Sequence, residues 1–104
     1  MQAALQAVSN PNRRAIIRLV WDSELSSSEI ASHFRTSWPA ISQNLKVLRE
    51  AGLVRERREG NRRLYRADRK SLRPLEALLR GMWEADLKRL AHLAEREERR
   101  RRRR

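Results

Sequence analysis

The sequence predicts a mainly α-helical domain carrying one small β-hairpin. Three observations predict it. Residues Ser26–Leu48 read as two short helices joined by a tight turn. A Gly60-Asn61 pair then separates two short basic segments, the signature of a hairpin. From about Ser71 onward, apolar residues recur at spacings of three and four, the period of one long helix. In that order the elements form a winged helix-turn-helix. The helices at the two ends of the chain are expected to make it a dimer.

At 104 residues the chain holds one domain with a small core, since only 39% of its residues are hydrophobic. Residues 2–8 form a short apolar helix with Ala4, Leu5 and Val8 on one side. Asn10 can cap a second helix, and Pro11 suits its first position. That helix turns Ile16, Ile17, Leu19 and Val20 inward and Arg13, Arg14 and Arg18 mostly outward, and it ends near Trp21-Asp22-Ser23. Ser26 with Glu29 fits a capping box. The helix it starts has Ile30 and Phe34 four apart on one face. Arg35, Thr36 and Ser37 break the pattern, and Pro39 is tolerated only in a first turn. A further helix therefore runs from about Ser37 to Glu50, with Ile41, Leu45 and Leu48 on one face and Gly52 suited to its end.

The opposite face of that helix carries the candidate chemistry. Pro39, Ser42, Gln43 and Lys46 point away from the apolar stripe. Ser and Gln can donate to and accept from base edges, and Lys can meet guanine or phosphate. By itself the pattern also suits a helical hairpin with a solvated outer face. The hairpin after it changes the balance: nine basic and three acidic residues lie between Leu53 and Arg73. A hairpin this basic, directly after a helix-turn-helix, reads as a wing rather than as a charged edge that deters aggregation.

The last helix is expected from about Ser71 to Arg96, with Pro74 in its first turn. Leu72, Leu75, Leu79, Met82, Trp83, Leu87, Leu90 and Ala94 line one stripe. So long a helix exceeds what the small domain can cover. The stripe, with Trp83 near its middle, is therefore the candidate dimer seam, alongside Leu5 of the first helix. The domain is accordingly placed at residues 1–96. Residues 97–104, with the run Arg99–Arg104, read as a basic tail that is disordered when free.

Charge and composition narrow the function. The net charge is +12, and half of it lies outside the terminal arginine run, so the body itself is basic and implies a polyanionic partner. The absence of cysteine excludes disulfides, thiol redox chemistry and cysteine metal sites. No Ser/His/Asp set, phosphate-binding glycine loop or carboxylate pair in an apolar setting is recognisable, so an enzyme is not expected. No cofactor is implied. No apolar run approaches 18 residues, and the N-terminus lacks the pattern of a signal peptide, so a cytoplasmic protein without membrane contact is expected. Clustered arginines also attract anionic lipid, but no apolar anchor stands beside them.

Specific residues now attach to this order of elements. Asn10-Pro11-Asn12-Arg13-Arg14 is similar to the "D-P-T-R-R" opening of the second helix in the ArsR family of bacterial winged helix-turn-helix repressors. Pro39-Ala40-Ile41-Ser42-Gln43-Asn44-Leu45-Lys46-Val47-Leu48-Arg49-Glu50-Ala51-Gly52-Leu53-Val54 resembles that family's "P-A-V-S-x-H-L-K-V-L-R-E-A-G-L-V". Glu59-Gly60-Asn61-Arg62-Arg63-Leu64-Tyr65 resembles its wing, "E-G-R-x-R-x-Y". The likeness spans roughly residues 3–93. Asn44 replaces a frequent histidine, and Asn61 a frequent basic residue.

The resemblance implies a homodimer that binds double-stranded DNA at a palindromic operator and represses transcription. DNA contacts are expected at Ser37, Trp38, Pro39, Ser42, Gln43, Asn44 and Lys46, and at Arg62 and Arg63 of the wing. Many members of the family release DNA on binding a metal through thiols in "E-L-C-V-C-D-L". Here that stretch is Glu24-Leu25-Ser26-Ser27-Ser28-Glu29-Ile30, and a serine hydroxyl does not replace a thiolate for a soft metal. A second family site uses D-x-H and H-x-x-E on the last helix. His92-Leu93-Ala94-Glu95 matches its second half, but Leu79 and Gly81 stand where the first should fall. No metal site is therefore expected, and His92 and His33 read as surface residues. The competing function is a non-specific basic nucleic-acid or nucleoid binder.

Overall fold

The computed structural model describes residues 2–103. Its elements run α1 (Gln2–Val8), α2 (Pro11–Leu19), β1 (Leu25–Ser26), α3 (Ser27–Ala31), α4 (Trp38–Glu50), β2 (Val54–Glu59), β3 (Arg62–Ala67), α5 (Arg69–Leu72), a 3₁₀ turn at Arg73–Leu75, and α6 (Glu76–Arg102). The three strands form one antiparallel sheet in the order β1-β3-β2. The mainly α fold with a small hairpin is as expected, and the third strand is an addition. β1 is only two residues long, with Leu25 opposite Tyr65 and Ser26 opposite Leu64.

Local chemistry sets the element boundaries. The Asn10 side chain accepts from the backbone N–H of Asn12 and Arg13 at 2.8 and 3.1 Å, and Pro11 opens α2. The capping box at α3 is complete: Ser26 Oγ accepts from Glu29 N at 3.1 Å, and Ser26 N donates to Glu29 Oε1 at 3.0 Å. Ser37 caps α4 through Ala40 N. At the far end of α4, Gly52 adopts φ +76°, Leu53 N donates to Leu48 O and Gly52 N to Arg49 O. That is a Schellman motif, and its left-handed position favours glycine. Gly60, at φ +59°, opens the two-residue loop of the hairpin, the pattern of a type II′ turn.

The core lies where α2, α3, α4 and the base of α6 converge. Ile16, Ile17, Ile30, Ile41, Leu48, Leu53, Leu72 and Leu79 are fully buried in it. Trp21 and Trp83 meet edge to face at its margin, with ring centroids 5.5 Å apart, and Trp83 Nε1 donates to Arg14 O at 2.9 Å.

Two expectations are corrected here. Arg14 does not face outward. It is buried, with Nε and Nη2 each donating to Asp86 at 3.0 Å and Nη1 donating to Val8 O at 2.9 Å. Leu79 and Trp83 do not lie on an outer seam either, because the protomer's own α2 and core already cover them. Of the expected seam residues, Leu5, Leu87 and Leu90 stay exposed, and Leu78 and Leu93 join them.

The last helix also differs at both ends. It does not run unbroken from Ser71: α5 stops at Leu72, and the turn through Pro74 intervenes, because proline lacks an N–H to donate to the preceding turn and its ring crowds the carbonyl there. At the other end the segment 97–104, expected as a disordered tail, is helical as far as Arg102. A helix already formed gains one hydrogen bond for each residue added, and arginine is a good helix former. Arg102 pairs with Glu98 at 3.2 Å and Arg100 with Glu97 at 3.9 Å, and cations suit a helix C-terminus.

Candidate nucleic-acid interface

The α3–turn–α4 unit presents one outer face. Ser37, Trp38, Pro39, Ser42, Gln43 and Lys46 are all exposed on α4 or at its cap, while Ile41, Leu45 and Leu48 anchor the opposite side. Trp38, Ser42 and Lys46 follow at i, i+4 and i+8 and form a row along the helix. This surface offers hydroxyl, amide and ammonium groups, and it places an indole at its start.

Asn44 is set apart from that row. It is half-buried, and its Oδ1 accepts from Arg13 Nη1 at 3.4 Å. The same guanidinium donates to Ala7 O at 2.7 Å and to Gln6 O at 3.2 Å, at the C-terminal end of α1. Asn44 therefore ties the back of α4 to α2 and α1, an arrangement that suits a positioning residue.

The wing is less cationic than its composition suggests. Arg57 lies between Glu24, at 2.6 Å, and Glu59, at 3.1 Å, and its pKa rises further, mainly through the hydrogen bond to Glu24. That hydrogen bond in turn holds Glu24 below the usual carboxylate range. Arg55 pairs with Asp68 at 3.1 Å, and Arg49, on α4, pairs with Glu56 at 2.6 Å. Of the two expected wing contacts, Arg62 pairs with Glu29 at 2.8 Å and Arg63 stands 3.7 Å from Glu56. Glu29 is acidified first by the Ser26 backbone N–H, then by the Ser26 hydroxyl and Arg62.

Two exposed cations escaped the sequence reading. Arg58 lies directly across the ladder from Arg63, a like-charge pair that is unfavourable in the free protein and favourable around an anion. Arg35 is exposed in the turn between the two helices. Their signal, a cation near the tip of each reading element, was present but indistinguishable from the surrounding arginines.

Neither of the two family metal motifs is complete in these residues. The Ser26 hydroxyl is engaged in capping α3, and Ser26 and Ser28 offer no thiolate. His92 and Glu95 stand exposed on α6, and among the described residues no group of three His, Cys, Asp or Glu could hold a metal ion. No helix among those residues is long and apolar enough to cross a membrane.

A two-helix reading head, a three-stranded wing and a long terminal helix define a winged helix-turn-helix protein. Residues 10–56 match the model of the bacterial regulatory protein arsR family. The chain is 38% identical over 94 residues to the HTH-type transcriptional regulator Rv2034 of Mycobacterium tuberculosis, covering 90% of this chain and 88% of that protein. It is 35% identical over 60 residues to the transcriptional repressor SdpR of Bacillus subtilis, covering 58% of this chain and 67% of that one. The solution structure of the homodimeric winged helix-turn-helix DNA-binding domain Mb0332 from Mycobacterium bovis superposes with a TM-score of 0.69 at 30% identity, covering 80% of this chain and 77% of that one. The chain belongs to the ArsR family of bacterial transcriptional regulators and is not an enzyme.

Proposed function

We propose that this regulator works as a homodimer that binds a palindromic operator and represses transcription. The observation that carries the reading is the exposed row on α4, polar and cationic and braced from behind by a complete apolar stripe. Ser42 and Gln43 contact base edges, and Lys46 contacts a base or phosphate. Ser37 and Pro39 lie where a recognition helix approaches the groove, and Arg62, Arg63 and Arg58 add phosphate or minor-groove affinity. Asn44 acts through Arg13 rather than on a base. The homodimeric state of the Mycobacterium bovis domain and the repressor name of the Bacillus subtilis relative support dimerisation and repression here.

The seam is assigned to Leu5 and, on α6 beyond the body, Leu87, Leu90 and Leu93. Two reading helices then enter successive major grooves about 34–36 Å apart. Serine at both thiol positions supports a regulator that does not respond to metal.

Selecting bound fragments from the source genome, at one salt concentration, tests the proposal. A recurrent two-fold motif, bound at least 10³-fold more tightly than random DNA, is the expected result. Uniform recovery of fragments would instead establish the non-specific binder, because the two functions differ in specificity ratio and not in affinity. A reporter under the selected site then separates repression from activation.

A further inference from the structure

Trp38 is spent differently from the other two tryptophans. Trp21 and Trp83 are buried against each other, and the Trp83 N–H is satisfied by a backbone carbonyl. Trp38 is 52% exposed at the first position of α4. The core does not need it, because Ile41, Leu45 and Leu48 already anchor this helix. It stands one turn before Ser42 and two before Lys46, and the N-terminal residues of a recognition helix are the ones that reach base edges.

An indole face has little to offer a phosphate or a polar base edge. It carries one donor and no charge, and its free energy lies in covering apolar surface. The one methyl group that unmodified base pairs place in the major groove is the 5-methyl of thymine. We propose that Trp38 reads that methyl group, at one thymine in each half-site. This rests on the proposed operator binding and adds a specificity element of a different kind. Ser42, Gln43 and Lys46 discriminate by hydrogen bonds and charge, whereas Trp38 discriminates by burial of one methyl group.

Burying one methyl group changes affinity about four-fold, and about 15-fold when both half-sites carry the contact. The test replaces each symmetric pair of thymines in the selected operator by deoxyuridine, which removes the methyl and leaves every hydrogen-bonding group in place. Affinities are measured for the wild type, Trp38→Ala and Trp38→Phe. One symmetric pair should weaken wild-type binding about 15-fold. The same replacement should leave Trp38→Ala unchanged, with Trp38→Phe in between. Wild-type circular dichroism for Trp38→Ala confirms that the exposed substitution leaves the fold intact. If the wild type prefers its operator but every deoxyuridine replacement affects wild type and Trp38→Ala equally, the methyl contact is overturned. A wild type with no operator preference would overturn the function on which it rests, and this inference with it.

Discussion

Replacing Asp86 by alanine should expose how the body of the protein holds its long terminal helix. Asp86 receives two hydrogen bonds from Arg14, each 3.0 Å long, and a third from Arg89 at 2.8 Å. The Arg14 side chain is 8% exposed and that of Asp86 22%, so the bridge is largely screened from water. Removing the carboxylate leaves a guanidinium buried beside Val8 O with no counter-charge. Breaking a buried pair this way costs about 3–5 kcal/mol, and the partial exposure of Asp86 places the loss nearer about 2–4 kcal/mol. Urea unfolding at one fixed protein concentration measures it, because a dimer's stability depends on concentration. Arg14→Met combined with Asp86→Leu should recover most of the loss, since two well-packed apolar residues need no counter-charge. The hydrogen bonds from Arg14 are the main reason the Asp86 carboxyl lies below the usual carboxylate range. Its folded pKa is therefore below the unfolded value of about 3.9, so its stabilisation is complete above about pH 4 and fades as pH falls through the folded value. Asp86→Ala should lose that part of the acid sensitivity. A loss below about 0.5 kcal/mol, or a double variant no better than Asp86→Ala, would refute the account of a buried and mutually dependent pair.

Four further outcomes follow from the same geometry. Leu90→Glu places a charge on the exposed stripe of α6 twice per dimer, so sedimentation should find monomer at micromolar concentration while circular dichroism keeps its helical signal. Gln43→Ala should cost about 1–3 kcal/mol on the operator and far less on random DNA, and equal losses would remove Gln43 from base readout. Zinc, arsenite and cadmium should leave operator binding unchanged, and a stoichiometric, chelator-reversible release by any of them would contradict the proposal. A chain ending at Glu98 should show a log–log salt slope flatter by roughly one to three units per tail, on specific and random DNA alike, whereas identical slopes would confine Arg99–Arg104 to a solubility role.

The recognition head was legible because its signals are local. Ser26 with Glu29, Ser37 before Trp38-Pro39, and Gly52 after the last turn each act within a few residues, and each holds in the structure. The strand at Leu25–Ser26 was not legible, because two residues show no period and the pairing partner lies 40 positions away at Tyr65. Arg14 was misplaced for the same reason: its counter-charge, Asp86, is 72 positions distant. The stripe on α6 was read correctly as apolar, yet periodicity cannot say where a helix leaves its own domain. Leu79 and Trp83 lie under the body, whereas Leu87 and Leu90 lie past it on the same repeat. The candidate DNA face was readable from residue types. That Asn44 is half-buried and accepts from Arg13 is a tertiary fact.

Arg13 and Arg14 together tie α1, α4 and α6 to α2. They are neighbours in the first turn of α2, so their side chains diverge by about 100°. Arg13 gathers the last carbonyls of α1 and reaches Asn44 on the back of α4, while Arg14 joins Val8 O to Asp86 on α6. One short helix thus holds the two terminal helices on one side and the reading helix on another. The contacts are charged and directional, and apolar packing alone would leave more freedom for each helix to slide. In the proposed dimer a palindromic site requires a fixed separation of the two α4 helices, and that separation would pass through α1, α6 and α2 before it reaches Ser42 and Gln43. On the proposed function, the arginine pair bears on specificity without approaching a base, through the distance at which the two α4 faces are held.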